Sequence, residues 1–211
     1  IDLPEDHPSV KAGKFNHGPN QWPEDLPDFR RVTTAYFGAL YELGGIMMRG
    51  LALSLDLPEN HFDDFLDDAT ANLRLLHYPP QPVIAQPDEK GCGAHTDFGA
   101  LTFLLQDDSG GLQVQPANTG KWSDAPPIAG TYVVNIGDLI ERWTNGRYKS
   151  TLHRVINRSG HERHSVPFFF TGNYDTVVEC IPTCLKEGEE PKHAPITVEQ
   201  HLMDCYKRTY G

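Results

Sequence analysis

The chain has 211 residues, with 18 Lys and Arg against 29 Asp and Glu, for a net charge of −11. That length suits one domain of the usual roughly 100–200 residues, or a somewhat larger β-rich one. The acidity argues against a nucleic-acid partner, which selects for clustered Lys and Arg. No apolar run approaches the ~20 residues that span a bilayer, so no membrane partner is expected.

In chain order, residues 1–27 carry Pro4, Pro8, Pro19, Pro23 and Pro27 without periodicity, which predicts extended or loop structure. Asp28 offers an N-cap oxygen to a helix whose apolar positions Phe29, Val32, Phe37, Leu40, Leu43, Met47 and Leu51 recur at helical spacing. Gly44 and Gly45 weaken its middle and suggest the close approach of another backbone. Pro58 opens a short acidic helix through Asp63, Phe65 and Asp67.

From Asn72 the texture changes. Residues 73–78, 101–105, 112–115, 132–136, 151–156 and 167–171 are short runs of apolar, β-branched and aromatic residues. Turn clusters such as Asp107-Asp108-Ser109-Gly110-Gly111 and Asn145-Gly146 separate them. Many short strands with turns between them indicate a sandwich or barrel. A helical turn over 138–144 interrupts the strands. The chain closes on a helix from Thr197, where Thr197 and Gln200 make a T-x-x-Q capping box. The fold class is therefore mainly β with flanking helices (α+β). The organisation expected is an N-terminal extended segment and helices (1–70), a β core (71–185), and a solvated connector with a C-terminal helix packing on the core (186–211).

Cys92, Cys180, Cys184 and Cys205 are too few and too scattered for a disulfide scaffold. They read as reduced thiols in a cytoplasmic protein, and no charged-then-apolar leader suggests secretion. Five histidines, His7, His17, His61, His193 and His201, sit in polar or loop contexts and read as surface residues. His95 and Asp97 differ, because their i, i+2 spacing on an extended segment puts an imidazole and a carboxylate on one face. His153 sits mid-strand among apolar neighbours and completes a two-His, one-carboxylate set. Such a set leaves open positions on a non-haem Fe(II), though zinc hydrolases also use three protein ligands, so the set alone does not name the metal. Arg163 and Ser165, again i, i+2, can grip one carboxylate from a shared strand face. The run Phe168-Phe169-Phe170 reads as buried strand, Trp122 and Trp143 as packing residues, and Asp107-Asp108 as a solvated turn.

The ordered motifs between Leu73 and Cys184 resemble the iron- and 2-oxoglutarate-dependent dioxygenase superfamily, in its isopenicillin-N-synthase-like branch. They are Leu75-Leu76-His77-Tyr78-Pro79-Pro80, Ala94-His95-Thr96-Asp97-Phe98-Gly99-Ala100-Leu101-Thr102, Gly110-Gly111-Leu112-Gln113-Val114, Val134-Asn135-Ile136-Gly137-Asp138, Lys149-Ser150-Thr151-Leu152-His153-Arg154-Val155 and Arg163-His164-Ser165. The resemblance implies a double-stranded β-helix (jelly-roll) core over 71–185. It implies Fe(II) on His95, Asp97 and His153, and 2-oxoglutarate held through its distal carboxylate by Arg163 and Ser165, with Tyr78 helping. Arg74 lies where some relatives carry a basic residue near the site. Members usually have a longer N-terminal region, so 1–70 reads as truncated relative to the family.

The activity implied is O2-dependent oxidation of a small organic molecule (hydroxylation, desaturation or cyclisation) with release of succinate and CO2. Two alternatives stand beside it. One is an Fe(II) oxidase of the same fold that does not use 2-oxoglutarate, and the other is an inactive jelly-roll binding module.

Overall fold

The computed structural model describes residues 2–80, 91–157 and 159–211. In chain order these form α1 (Pro8–Lys11), α2 (Pro27–Ser54), α3 (Asp63–Leu66), β1 (Thr70–Leu73), β2 (Leu76–Tyr78), β3 (Cys92–His95), β4 (Leu101–Gln106), β5 (Leu112–Gln115) and β6 (Ser123–Asp124). They continue as β7 (Val133–Ile136), α4 (Asp138–Trp143), β8 (Leu152–Val155), β9 (Arg163–Gly172), β10 (Val177–Val178), a 3₁₀ turn (Pro182–Cys184), β11 (Ile196–Thr197) and α5 (Val198–Tyr210). The chain divides into two units. One takes Ile1–Asn72, Phe170–Val177 and Pro195–Gly211, and the other Leu73–Phe169 and Val178–Ala194. No helix among the described residues is long and apolar enough to cross a membrane.

In the first unit, Pro27 starts α2 two residues earlier than an Asp28 cap predicts. Its fixed φ suits the first helical position, where its missing N–H is no loss. Asp28 consequently lies inside the first turn and caps nothing, and its carboxylate instead pairs with Arg31 at 2.9 Å. The buried stripe is Leu40, Gly44, Met48 and Ala52, spaced every fourth residue, whereas Val32 is 53% exposed. Gly44 does permit close approach, but of a side chain: a Cβ there would stand 2.7 Å from the Phe170 ring, while a Cβ on Gly45 would meet nothing. Phe65 meets Phe170 edge-on at 6.2 Å, and Gly172, with φ +88°, leaves the space that the Phe65 ring fills. The acidic helix contracts to the single turn of α3, with Asp56 and Asp68 in left-handed backbone on either side.

α5 is capped by Thr197, whose hydroxyl accepts from the Gln200 N–H at 3.2 Å. That is one half of the expected capping box, and the Gln200 side-chain amide donates to Asp204 one turn on. His201 is buried at 9% exposure rather than on the surface, since it falls on the inner stripe with Val198, Leu202 and Cys205.

The second unit carries most of the strands of the two larger sheets. β2 pairs antiparallel with β9, which lies beside β4, and β4 pairs antiparallel with β7. A second sheet has the order β3-β8-β5-β6, also antiparallel. Leu104 from the first sheet meets Leu112 and Val155 from the second in a buried cluster that Tyr78, Cys92 and Val133 cover. Two facing antiparallel sheets of this kind make the double-stranded β-helix. The expected strand over 73–78 is broken between β1 and β2. β9 is longer than expected, reaching back to Arg163.

Candidate active site

A bulge interrupts the edge strand β3. β3 and β8 pair Cys92 with Val155 and His95 with His153, so three steps along β3 match two along β8. A bulge of this kind re-aims the side chain that follows it. Here it sets the His95 and His153 rings beside each other, with centroids 4.2 Å apart. Asp97 is not on the strand with His95, as an extended reading predicts, but in the turn after β3. It nevertheless points to the same place. Its Oδ1 lies 3.9 Å from His95 Nε2 and 3.7 Å from His153 Nε2, and the donor atoms of all three residues lie within 4.8 Å of one another. Asp97 and His153 are buried, at 5% and 7% exposure, and His95 stands at the rim.

The sequence does not reveal what fixes the imidazoles, and the structure supplies it. His95 Nδ1 donates to the carbonyl of Gly93 at 2.8 Å, and His153 Nδ1 donates to the carbonyl of Thr151 at 3.0 Å. A carbonyl can only accept, so both Nδ1 atoms carry a proton, and the Nε2 atoms are the ring nitrogens that face Asp97 and remain for a metal. Each acceptor is the residue two places earlier in the chain. The Cys92 thiol, 3.7 Å from His95 Nδ1, together with the Gly93 carbonyl and the Asp97 carboxylate, pushes His95 up to about 9 against the opposing effect of burial.

Asp97 is held from behind by a segment to which composition gave no role. Asn135 on β7 donates its amide to Asp97 Oδ2 at 3.3 Å, leaving Oδ1 for the histidine side. The Asp138 N–H donates to the Asp97 carbonyl at 2.8 Å, and Thr96 donates to the Asp138 carboxylate at 3.3 Å. Gly137 lets the two turns touch, since a Cβ there would stand 2.1 Å from the Gly99 carbonyl oxygen.

Arg163 begins β9 and is 0% exposed. Its Nε donates to the Gly110 carbonyl at 2.6 Å and its Nη2 to Gln106 Oε1 at 3.1 Å, and its guanidinium lies 5.0 Å from the centre of the Tyr78 ring. Nη1 is buried and has no hydrogen-bond partner among the described residues. Such a donor costs free energy unless a group absent from the chain itself satisfies it. Ser165 is buried on the same face of β9, while His164 between them is exposed. Cross-strand register places Tyr78 opposite Arg163 and Leu76 opposite Ser165. Burial pushes the Tyr78 phenol up, an effect that Arg163 and a hydrogen bond with Ser165 partly offset. Arg74 is exposed and only weakly coupled to Tyr78. Asp107 is more than a solvated turn, because its carboxylate accepts from the backbone N–H groups of His164 and Ser109 and pins the start of β9.

Residues 69–172 match the family described as the 2OG-Fe(II) oxygenase superfamily. The chain is 52% identical to the "2-oxoglutarate-Fe(II) type oxidoreductase hxnY" of Emericella nidulans, over 98% of this chain and 60% of that protein. The chain belongs to the 2OG-Fe(II) oxygenase superfamily. Another superfamily relative, clavatol oxidase claD of Penicillium crustosum, is 40% identical over all of this chain and 64% of its own length. Among solved 2OG-Fe(II) oxygenases, Neurospora crassa T7H in complex with alpha-KG and thymine superposes with a TM-score of 0.86 at 35% identity, over 98% of this chain and 63% of that one. The chain thus spans about three fifths of the length of each of these three proteins. Enzymes of this superfamily require Fe(II), 2-oxoglutarate and O2.

Proposed function

We propose that this chain carries the catalytic core, residues 71–185, of an Fe(II)- and 2-oxoglutarate-dependent oxygenase that oxidises a small organic molecule. The observation that carries the reading is the meeting of His95 Nε2, Asp97 Oδ1 and His153 Nε2 with both imidazole tautomers preset. The buried Arg163 with an unsatisfied Nη1 supports it, since that arginine fits an anionic cosubstrate.

His95, Asp97 and His153 would hold Fe(II) and leave it positions for cosubstrate and O2, as non-haem oxygenases require. Arg163 and Ser165, with Tyr78 beside them, would hold the distal carboxylate of 2-oxoglutarate. When bound, iron and cosubstrate together supply the O2-dependent oxidising power, with 2-oxoglutarate leaving as succinate and CO2. The chain's own part is positional. The Gly93 and Thr151 carbonyls keep the protons on Nδ1, and Asn135 keeps one Asp97 oxygen occupied so that the other faces the metal position. Arg163 contributes a fixed positive charge inside a water-poor strand pair, where an ion pair is worth far more than at the surface. The four free cysteines are in keeping with a reducing, cytoplasmic setting.

The test is anaerobic addition of Fe(II) and 2-oxoglutarate to the full chain. A visible charge-transfer band is expected, absent when either is left out and absent in Asp97→Ala. Admission of O2 should then yield succinate, slowly without substrate. Unchanged spectra in the unaltered chain would overturn the proposal.

A further inference from the structure

The alternation that buries Arg163 and Ser165 turns the residue between them outward, and that residue is a histidine. His164 pairs across the strands with His77 of β2, and the two rings stack with centroids 4.7 Å apart and planes 14° from parallel. Glu162 completes the group, its carboxylate 3.7 Å from His77 Nε2. All three side chains are more than half exposed, and one donor atom from each lies within 4.8 Å of the others. This is the same donor composition as the buried site, two imidazoles and one carboxylate, assembled independently on the solvent side.

We propose that His77, Glu162 and His164 form a second divalent-metal site, selective for a borderline ion of the zinc type. Imidazole nitrogen with one carboxylate oxygen is a donor set that suits Zn2+ and disfavours Mg2+ or Ca2+, which take oxygen ligands. The three side chains are free to rotate inward, so donors now up to 4.8 Å apart can close on an ion without moving backbone. Asp107 stands 3.9 Å from His164 Nδ1, beyond hydrogen-bond distance, and adds a second negative charge beside the cluster. The chain's charge of −11 favours approach of a cation. Because one ligand comes from β2 and two come from β9 and the residue before it, an ion here ties together, from outside, the strand pair that presents Tyr78, Arg163 and Ser165 within.

The test is equilibrium dialysis of the untagged full chain against micromolar Zn2+, followed by metal analysis. The variants are His164→Ala, Asp97→Ala and the double variant, with circular dichroism to check folding. His164→Ala should bind one equivalent less than the unaltered chain, and the same one-equivalent loss should appear on the Asp97→Ala background. Excess Mg2+ should displace none of that equivalent. Equal zinc content with and without the His164 side chain would overturn the site. His164 is exposed, so that single comparison stands even if Asp97→Ala fails to fold.

Discussion

Replacing Arg163 with Met separates what this residue does for the fold from what it does for the cosubstrate. In the protein without cosubstrate, the substitution leaves the Gly110 carbonyl and Gln106 Oε1 without their donor, at roughly 1–3 kcal/mol for each group left unsatisfied. It also removes a guanidinium that is fully buried with one nitrogen unpaired, a burden of several kcal/mol in its own right. These effects oppose each other, so the melting temperature should move by only a few degrees. The 2-oxoglutarate affinity has no such offset. Truncating one member of a buried, hydrogen-bonded charge pair costs about 2–5 kcal/mol, which is a loss of about 30- to 4,000-fold. Arg163→Lys should fall between, since it keeps the charge and loses the fork. The assay is anaerobic titration of 2-oxoglutarate into the Fe(II) protein, followed by its absorbance, beside thermal melts with and without cosubstrate. A Met variant that binds 2-oxoglutarate within threefold of the parent would refute the assignment of Arg163.

Three further outcomes are expected. Asn135→Ala should weaken Fe(II) binding by about 10- to 100-fold, the usual effect of removing an outer partner of a metal ligand, as read by competition with a chelating dye. Gly172→Ala should destabilise the chain by about 2–5 kcal/mol in urea unfolding, because its φ of +88° disfavours a side chain and the new Cβ would overlap the Phe65 ring. Burial pushes Tyr174 up to about 12 from the ordinary 10. The unfolded chain therefore gives up that proton first, and stability should fall as pH rises from 10 to 12, by at most ~1.4 kcal/mol per unit. Tyr174→Phe should flatten that decline in chemical denaturation measured across the same range.

The residues proposed as donors were legible in the sequence because the metal ligation and anion binding proposed for them restrict residue type so severely. His95, Asp97, His153, Arg163, Ser165 and Tyr78 could each be picked out from type and spacing, or from the motif around them, and they fall into two clusters. Their supports were not legible, for a physical reason. Both tautomers are set by backbone carbonyls, which every residue possesses and which carry no signature in composition. The bulge at β3 is likewise a register event between strands far apart in sequence. Asn135 and Gly137 were visible only as letters of a motif, since their roles depend on the turn after β3 lying against the start of α4. The start of α2 differs from the sequence reading locally: Pro27 opens the helix ahead of Asp28, which therefore caps no helix end. The outward His77 and His164 pair needed the β2–β9 register, which no spacing rule supplies.

That each imidazole of the proposed metal site is oriented by a carbonyl two residues back has an evolutionary consequence. No side-chain substitution can delete such an acceptor, so drift at positions 93 and 151 is constrained by strand shape rather than by chemical identity. The proton location on both rings is written into the path of the main chain. Neighbouring side chains are correspondingly free to diversify toward new substrates without disturbing how the ligands present themselves.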